Sequence, residues 1–384
     1  MPTPTERVRA CEPSKIRVMF DLAEAADRDL VRLEVGEPDF DSPEHIVEAA
    51  VDAARAGETH YTSNAGLLEL RAAISDTLDR EFGVEYDPEQ FVVTNGGMEA
   101  LHLAMLSTVE DGGEVVIPSP AWPNYWTQTR LAGGVPVEVP MDEETGYALD
   151  AERVIDAIDD DTDAVVLCSP SNPTGQVFDA EPMQAVVAAA AEHDAYVLAD
   201  EVYLGLTYDR DPVGLAALTG HPDHLLTIGS CSKAYAMTGW RVGWLGGPTE
   251  LIDEVTKIHE STTACAGTVA QYAAIAAMRG PQEPIAAMYD AFAERREYVA
   301  DRVDAMDGVT APTPDGAFYA FLDVDLPGSS LDIAKRLLRE RDVVLAPGDG
   351  FGDAGKGKLR LSFANSLEQL EKGLDGIEAA VREA

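Results

Sequence analysis

The chain has 384 residues, of which 46% are hydrophobic, enough to bury the core of two domains or of one large domain. Its 69 acidic residues face 28 basic ones, and the net charge of −41 repels nucleic acid and anionic membrane surfaces, so neither is expected as a partner. A surface coated with carboxylates predicts a protein of a halophile, whose salt-rich cytoplasm screens the self-repulsion.

The N-terminal residues 1–7 (MPTPTER) contain no apolar segment, so we expect no signal peptide. No apolar run approaches the roughly 18 residues of a membrane span. The four cysteines, Cys11, Cys168, Cys231 and Cys265, are scattered without a C-x-x-C pair, which argues against a zinc site and favours a reducing compartment. The protein is therefore expected to be cytoplasmic and without a metal.

Apolar runs predict strands at 91–94, 114–117, 135–139, 164–168, 196–199, 225–228 and 242–245. Helical patterns such as residues 182–192 lie between most of them, which predicts an α/β fold with a seven-stranded, mostly parallel sheet. Beyond residue 280 the pattern changes to that of a smaller α+β domain, with a helix at 284–306, a strand at 317–321, a helix at 331–341 and a strand at 343–345.

The first segment with potential chemistry is residues 93–101 (VTNGGMEAL). A strand ends in two glycines, and the spacing of Leu101, Met105 and Leu106 then predicts a helix. Backbone N–H groups at a helix N-terminus bind phosphate. Glycines also serve ordinary tight turns, so this segment alone is a weak indication.

Residues 169–175 (SPSNPTG) follow the strand at 164–168. Prolines fix backbone angles and glycine permits a turn, so the segment is either a plain turn or a rigid support that directs Asn172 into a site.

Asp200 and Tyr203 lie in residues 199–203 (ADEVY), at the end of the next strand. A carboxylate directly after a buried strand is costly unless it is paired, and a pyridinium N–H is a suitable partner. The ordinary alternative is a helix N-cap aspartate followed by a packing tyrosine.

Lys233 stands in residues 230–241 (SCSKAYAMTGWR), after the strand at 225–228. Ligand sites of open α/β sheets gather at the carboxyl ends of strands. Ser230 and Ser232 precede the lysine and Arg241 follows it, so an amine is flanked by groups that bind anions. An aldehyde that carries a phosphate suits this arrangement, which predicts pyridoxal 5′-phosphate bound to Lys233 as a Schiff base. A solvated surface lysine is the ordinary alternative for this motif alone.

Together these segments resemble the class I and II aminotransferases of fold type I, the aspartate aminotransferase superfamily. The resemblance runs from residues 33–40 (LEVGEPDF) through 61–66 (YTSNAG) to 359–363 (LRLSF). It implies a large domain that binds pyridoxal phosphate at 46–280, and a discontinuous small domain formed by 1–45 and 281–384.

Spacing makes the resemblance specific: 28 residues separate Asn172 from Asp200, three separate Asp200 from Tyr203, and eight separate Lys233 from Arg241. The resemblance implies an enzyme that moves the amino group of an L-amino acid to a 2-oxoacid, with Lys233 as carrier and base. Asp200 would keep the pyridine nitrogen protonated, and Asn172 and Tyr203 would hydrogen-bond the phenolic oxygen of the ring.

The phosphate is expected on a set of amides, hydroxyls and one guanidinium: Gly97, Met98, Ser230, Ser232 and Arg241. The resemblance adds Tyr61, which would reach the phosphate of the neighbouring subunit and so implies a homodimer with a shared active site. It also implies that Trp122 stacks on the cofactor ring, whereas a core tryptophan is the ordinary alternative.

Arg360, in the alternating strand at 359–363, is expected to bind the α-carboxylate of the substrate bidentately. Its ordinary alternative is a surface arginine on an edge strand. Gly36 and Asn172 are expected to complete the substrate site.

The donor amino acid is left open between an aspartate-type and a broad or aromatic one, with 2-oxoglutarate as the acceptor. One dicarboxylate-specific subgroup carries a lysine at the position of Met98, and residues 260–267 offer no cation from the partner subunit. Lys15 or Arg17 could supply a cation, although nothing in the sequence requires it.

A lyase or synthase that uses the same cofactor on the same fold is the main alternative. A transcription regulator needs a basic DNA-binding module, and none fits before Leu33. A Rossmann dehydrogenase needs a G-x-G-x-x-G that opens a helix near the first strand, and the chain lacks one.

Overall fold

The computed structural model describes residues 3–11 and 13–383. Within them the chain forms fifteen α-helices: α1 (Glu6–Arg9), α2 (Lys15–Glu24), α3 (Glu44–Ala56), α4 (Leu68–Phe82), α5 (Gly97–Thr108), α6 (Asn124–Ala132), α7 (Ala151–Ile155), α8 (Ala180–Glu192), α9 (Leu215–Leu218), α10 (Cys231–Ala234), α11 (Thr249–Thr262), α12 (Thr268–Arg279), α13 (Glu283–Asp304), α14 (Ser330–Arg341) and α15 (Leu367–Arg382).

The same described residues form thirteen strands: β1 (Val31–Arg32), β2 (Phe91–Thr94), β3 (Glu114–Ser119), β4 (Val135–Pro140), β5 (Thr162–Cys168), β6 (Tyr196–Asp200), β7 (Leu225–Ser230), β8 (Gly243–Gly246), β9 (Val309–Thr310), β10 (Tyr319–Val324), β11 (Val343–Val344), β12 (Ala346–Pro347) and β13 (Lys358–Ser362).

Seven strands form the main sheet, in the order β2-β8-β7-β6-β5-β3-β4. Strand β8 runs antiparallel to both of its neighbours, and the other four pairings are parallel. These are the seven strands that the apolar runs predict, so the predicted α/β fold with a mostly parallel sheet is confirmed.

Both faces of the main sheet are covered, which explains why its strands are nearly continuous apolar runs. In β5, Val165 and Leu167 pack in one core with Val186 of α8. The alternate residue Val166 belongs to a second core, which includes Leu101 of α5. Side chains alternate across a strand, so β5 contributes to the core on each side.

A second layer is built from the two ends of the chain. Strands β12, β13, β10 and β9 form an antiparallel sheet in that order, and β1 pairs in parallel with β11. Met19 and Leu33 from the N-terminal part pack in one core with Phe292 and Leu374 from the C-terminal part. The predicted domain boundaries at 45/46 and 280/281 remain a prediction.

Three predicted helices are present with small shifts at their ends, as α8, α13 and α14. The predicted strand at 317–321 begins two residues later, at Tyr319, because Ala317 has a left-handed backbone with φ of 55°. The predicted strand at 343–345 divides at Leu345, where the chain leaves β1 and joins β13. Among residues 3–11 and 13–383, no helix has both the length and the apolar character that crossing a membrane requires.

Candidate active site

A cavity of about 390 Å³ lies where the carboxyl ends of β5, β6 and β7 meet the start of α5 and the second layer. All but one of the predicted site residues line it, namely Gly36, Gly97, Met98, Trp122, Asn172, Asp200, Tyr203, Ser230, Ser232, Lys233, Arg241 and Arg360. This location is the one expected for ligands of an open α/β sheet.

The start of α5 forms one wall of the cavity together with Arg241. Gly96, the residue before the helix, has φ of 83°, and a Cβ on it would lie 2.4 Å from a guanidinium nitrogen of Arg241. Arg241 donates from Nη1 to the carbonyl oxygen of Thr238 at 2.8 Å and from Nη2 to that of Asn95 at 3.2 Å. The guanidinium is thereby held beside the free N–H groups of a helix N-terminus, an arrangement that binds anions.

Two hydroxyls extend this anion-binding wall. The hydroxyl of Ser230 lies 2.8 Å from that of Ser232 and accepts the backbone N–H of Ser232 at 3.0 Å. Ser230 ends β7 and caps the short helix α10, so the turn that presents the two hydroxyls also presents Lys233.

Lys233 is partly buried, and its Nζ donates a hydrogen bond of 2.5 Å to the carbonyl oxygen of Gly36. Burial and the nearby Arg360 lower the pKa of the amine to about 8. A lysine with this pKa is partly neutral at physiological pH and can act as a nucleophile or a base.

Asp200 is 4% exposed at the end of β6. Its Oδ2 accepts a hydrogen bond of 2.6 Å from the hydroxyl of Tyr125, and its Oδ1 accepts the N–H of Val202 at 3.3 Å. Burial raises the pKa of this carboxyl, and the bond from Tyr125 opposes the rise. Within the described ranges, no lysine or arginine forms an ion pair with Asp200. A ligand in the cavity that presents a cationic N–H is therefore a suitable partner for this carboxylate.

Arg360 is 3% exposed in β13. It donates from Nη1 to Oδ1 of Asn172 at 3.0 Å and from Nη2 to the carbonyl oxygen of Glu34 at 2.6 Å. Its guanidinium carbon lies 4.4 Å from the centre of the Tyr319 ring, and its Nε has no hydrogen-bond partner among the described residues. Strand β13 lies inside its sheet, between β12 and β10, so the edge-strand alternative is wrong.

Tyr203 meets the substrate side of the cavity through Tyr319. The two hydroxyls are 2.8 Å apart, and both rings are buried. A Cβ on Gly36 would lie 2.5 Å from the Tyr319 oxygen, so the glycine leaves room for this pair.

Trp122 and Met98 complete the wall around Tyr125. The rings of Trp122 and Tyr125 meet edge to face at 5.7 Å, and the sulfur of Met98 accepts a weak hydrogen bond of 3.5 Å from Gln128.

Tyr61 is the one predicted residue that the structure does not bring to the cavity of its own chain. Its side chain is 88% exposed, in the segment between α3 and α4. Lys15 pairs with Asp349 at 3.3 Å and Arg17 with Asp21 at 2.8 Å, and neither Lys15 nor Arg17 lines the cavity.

The sequence pattern does not predict the roles of Tyr125 and Tyr319. They are 75 and 116 residues from their partners Asp200 and Tyr203. No local pattern signals a contact over such a separation. A tyrosine three residues after Trp122, at the start of α6, was the only hint of the first contact.

The residues present fit pyridoxal phosphate. An anion-binding wall, a reactive amine, a buried carboxylate without a cation and an aromatic side chain surround one cavity, and each suits a different part of the molecule. Fold and site therefore define an enzyme that depends on pyridoxal phosphate.

Residues 28–377 match the family model "Aminotransferase class I and II", and the chain belongs to this family. The putative aminotransferase YugH of Bacillus subtilis is 39% identical over 372 residues, with 96% of each chain covered. A probable aspartate aminotransferase of Methanocaldococcus jannaschii is 38% identical, with 96% of this chain and 97% of that protein covered.

Two solved structures of aminotransferases are also similar to this chain. The aspartate aminotransferase from Thermus thermophilus with maleate superposes with a TM-score of 0.93 at 38% identity, over 99% of this chain and all of that one. The aromatic aminotransferase from Pyrococcus horikoshii superposes with a TM-score of 0.89 at 36% identity, over 96% and 99%. The protein is thus a pyridoxal-phosphate-dependent aminotransferase, and the lyase or synthase alternative is not favoured.

Proposed function

We propose that this aminotransferase carries its cofactor on Lys233 and uses Asp200 and Arg360 to exchange amino groups between an L-amino acid and a 2-oxoacid. The donor leaves as its own 2-oxoacid and the acceptor leaves as an amino acid, so no external oxidant is needed. The proposal rests on one observation: the same cavity is lined by the amine of Lys233, by the carboxylate of Asp200, which has no cationic partner among the described residues, and by the guanidinium of Arg360, which has no anionic partner among them.

Different residues of the cavity would bind different parts of the cofactor. Its phosphate would lie on the wall formed by Gly97, Met98, Ser230, Ser232 and Arg241, and Trp122 would stack on its ring. Asp200 would face the ring nitrogen and keep it protonated, because a buried carboxylate favours a charged partner. Asn172 and Tyr203 would hydrogen-bond the phenolic oxygen.

The bound cofactor supplies a sink for the electron pair that remains when the Cα proton of the substrate is removed. Arg360 would bind the α-carboxylate in a two-pronged geometry and so direct the Cα–H bond toward Lys233. The amine of Lys233, with its pKa of about 8, can take that proton at Nζ and return it near neutral pH.

The donor is proposed to be an aspartate-type or a broader, apolar or aromatic amino acid, with 2-oxoglutarate as the acceptor. Relatives named as aspartate and as aromatic aminotransferases support both choices. The three cations that line the cavity, Lys233, Arg241 and Arg360, each have another proposed task. That favours neutral donors unless a partner subunit adds a cation.

We further propose a homodimer in which Tyr61 reaches the phosphate of the neighbouring subunit; the exposure of Tyr61 in its own chain agrees with that role. The large domain at 46–280 and the small domain at 1–45 and 281–384 are proposed as the units that form the site. The charge of −41 supports a salt-rich cytoplasm as the place where the protein works.

The test has two parts. Borohydride reduction of the holoenzyme and peptide mapping should place the pyridoxyl group on Lys233, and a label on another lysine contradicts the proposal. A panel of amino acids with 2-oxoglutarate at molar potassium chloride, in which each 2-oxoacid formed is quantified, then identifies the donor.

A further inference from the structure

A buried histidine–glutamate pair lies beside the cavity without lining it. His259 of α11 is fully buried, and its Nε2 lies 3.5 Å from Oε2 of Glu99 in the first turn of α5. Its other nitrogen, Nδ1, lies 2.7 Å from the carbonyl oxygen of Asn64, which can only accept, so Nδ1 is the donor. The pair therefore connects α11, α5 and the segment between α3 and α4.

On the α5 side the pair reaches the arginine proposed for the phosphate. Oε2 of Glu99 accepts the backbone N–H of Asn95 at 2.6 Å and its side-chain amide at 3.0 Å. The carbonyl oxygen of Asn95 accepts Nη2 of Arg241 at 3.2 Å. Glu99 therefore holds Asn95 in place, and Asn95 in turn holds Arg241.

On the other side the pair holds the segment that carries Tyr61. Asn64 accepts from His259 through its carbonyl and donates from Nδ2 to the carbonyl oxygen of Ala264 at 2.8 Å. Thr263, next to Ala264, donates its hydroxyl to Oε1 of Glu99. Arg241, proposed to bind the phosphate of its own subunit, and the segment of Tyr61, proposed to reach that of the neighbouring subunit, are thus both linked to the His259–Glu99 pair.

The pair also solves an electrostatic problem. Glu99 lies in the first turn of α5, where a carboxylate without a counter-charge would repel a phosphate. Burial lowers the pKa of His259, but Glu99 and the Asn64 carbonyl raise it overall. Burial raises the pKa of Glu99, but His259, Asn95 and Thr263 lower it to about 2. Each shift favours the charged form of its group, and the two charged forms together would be neutral.

We propose that the His259–Glu99 pair is a positioning device for the cofactor's phosphate, which orients Arg241 and the first turn of α5 while His259 cancels the charge of Glu99. The proposal rests on the proposed function, because it assigns the phosphate to this wall. A purely structural role would instead weaken the binding of ligands with and without a phosphate alike, because removing one partner of a buried pair destabilises the surrounding fold.

The experiment compares two ligands that differ only in the phosphate. Cofactor-depleted protein of the wild type and of His259→Gln, Glu99→Gln and the double variant is titrated at pH 6.5 with pyridoxal phosphate and with pyridoxal. His259→Gln should weaken binding of pyridoxal phosphate about tenfold, the loss expected for one unbalanced charge, and leave pyridoxal binding unchanged. The double variant should bind pyridoxal phosphate more tightly than His259→Gln, because the unbalanced carboxylate is gone.

His193→Gln is the matched control, because it breaks a histidine–aspartate pair of 3.0 Å on the surface and should change neither affinity. If His259→Gln does not fold, His259→Asn takes its place, since it keeps an amide donor for Asn64. An equal loss for both ligands, no loss, or a double variant no better than His259→Gln overturns the proposal. A wild type that does not bind pyridoxal phosphate on Lys233 contradicts the proposed function instead, so the two failures are distinguishable.

Discussion

The hydroxyl of Tyr125 donates a 2.6 Å hydrogen bond to Oδ2 of Asp200, the buried carboxylate at the end of β6. This bond favours the charged form of Asp200, whereas burial favours the neutral form. A neutral Asp200 cannot form an ion pair with a ring nitrogen, so the hydroxyl of Tyr125 helps to keep Asp200 suited to its proposed role.

Tyr125→Phe should therefore reduce kcat by about tenfold to a hundredfold, since a hydrogen bond to a charged group contributes roughly 1.5–3 kcal/mol. The pKa of Asp200 should rise, which moves the acid limb of the pH–kcat profile to higher pH. Asp200→Asn, which removes the charge and keeps the size, should cost far more turnover than cofactor affinity. An acid limb that stays in place in Tyr125→Phe would falsify the assigned role of the hydroxyl.

The depressed pKa of Lys233 predicts how the protein captures its cofactor. With a pKa of about 8, about one amine in ten is neutral at pH 7, compared with far fewer for an ordinary lysine. The neutral amine is the nucleophile, so the rate of capture should rise between pH 6.5 and 9 and level off above the pKa. Stopped-flow absorbance of cofactor-depleted protein measures this profile.

Arg360→Gln provides the control, because the charge of Arg360 contributes to the low pKa of Lys233. Its removal should move the midpoint of the capture profile upward. A rate that keeps increasing to pH 10.5 in the wild type would show that the site does not depress the pKa.

The main sheet could be predicted because its strands are buried on both faces and so appear as apolar runs in the sequence. Elements that depend on distant partners were predicted less well. The run at 343–345 is one apolar stretch, yet the chain changes sheets at Leu345. The start of β10 depends on the left-handed backbone of Ala317, and alanine gives no sign of that conformation.

The residues of the candidate site also differ in how well the sequence predicts them. Residues in local motifs, such as Asn172 and Lys233, were identified because glycines, prolines and strand ends mark their positions. Contacts between residues that are far apart in the sequence are not predicted in this way, because Tyr319 lies 116 residues from Tyr203 and His259 lies 160 residues from Glu99. Such contacts arise only when elements that are distant in the sequence pack together, so pattern alone cannot predict them.

The net charge of −41 predicts a requirement for salt. Carboxylates repel one another more strongly at low ionic strength, because the Debye length grows from ~3 Å at 1 M to ~30 Å at 0.01 M. The midpoint of thermal unfolding should therefore rise by several degrees as potassium chloride increases toward molar concentrations. Sucrose at matched osmolality serves as the control, and a midpoint independent of salt would mean that the acidic surface needs no screening.

The last prediction separates binding of the α-carboxylate from recognition of the side chain. Arg360 is held by Asn172 and by the Glu34 carbonyl, with its guanidinium carbon 4.4 Å from the centre of the Tyr319 ring. Arg360→Lys keeps the charge and loses this planar geometry, so kcat/KM should fall by roughly a hundredfold for every donor alike.

Met98 should act selectively, because it lines the cavity and adds no charge to it. Met98→Lys places a cation where a second carboxylate could bind, so aspartate should improve by about tenfold relative to phenylalanine or leucine. The measurement is the steady-state kcat/KM for aspartate, phenylalanine and leucine, compared between the wild type and Met98→Lys. A wild type that already prefers aspartate strongly, with no change in Met98→Lys, would mean that another cation binds the distal carboxylate. Arg17 is then the first residue to replace, because its partner Asp21 is exposed and α2 contributes Ile16 and Phe20 to the cavity.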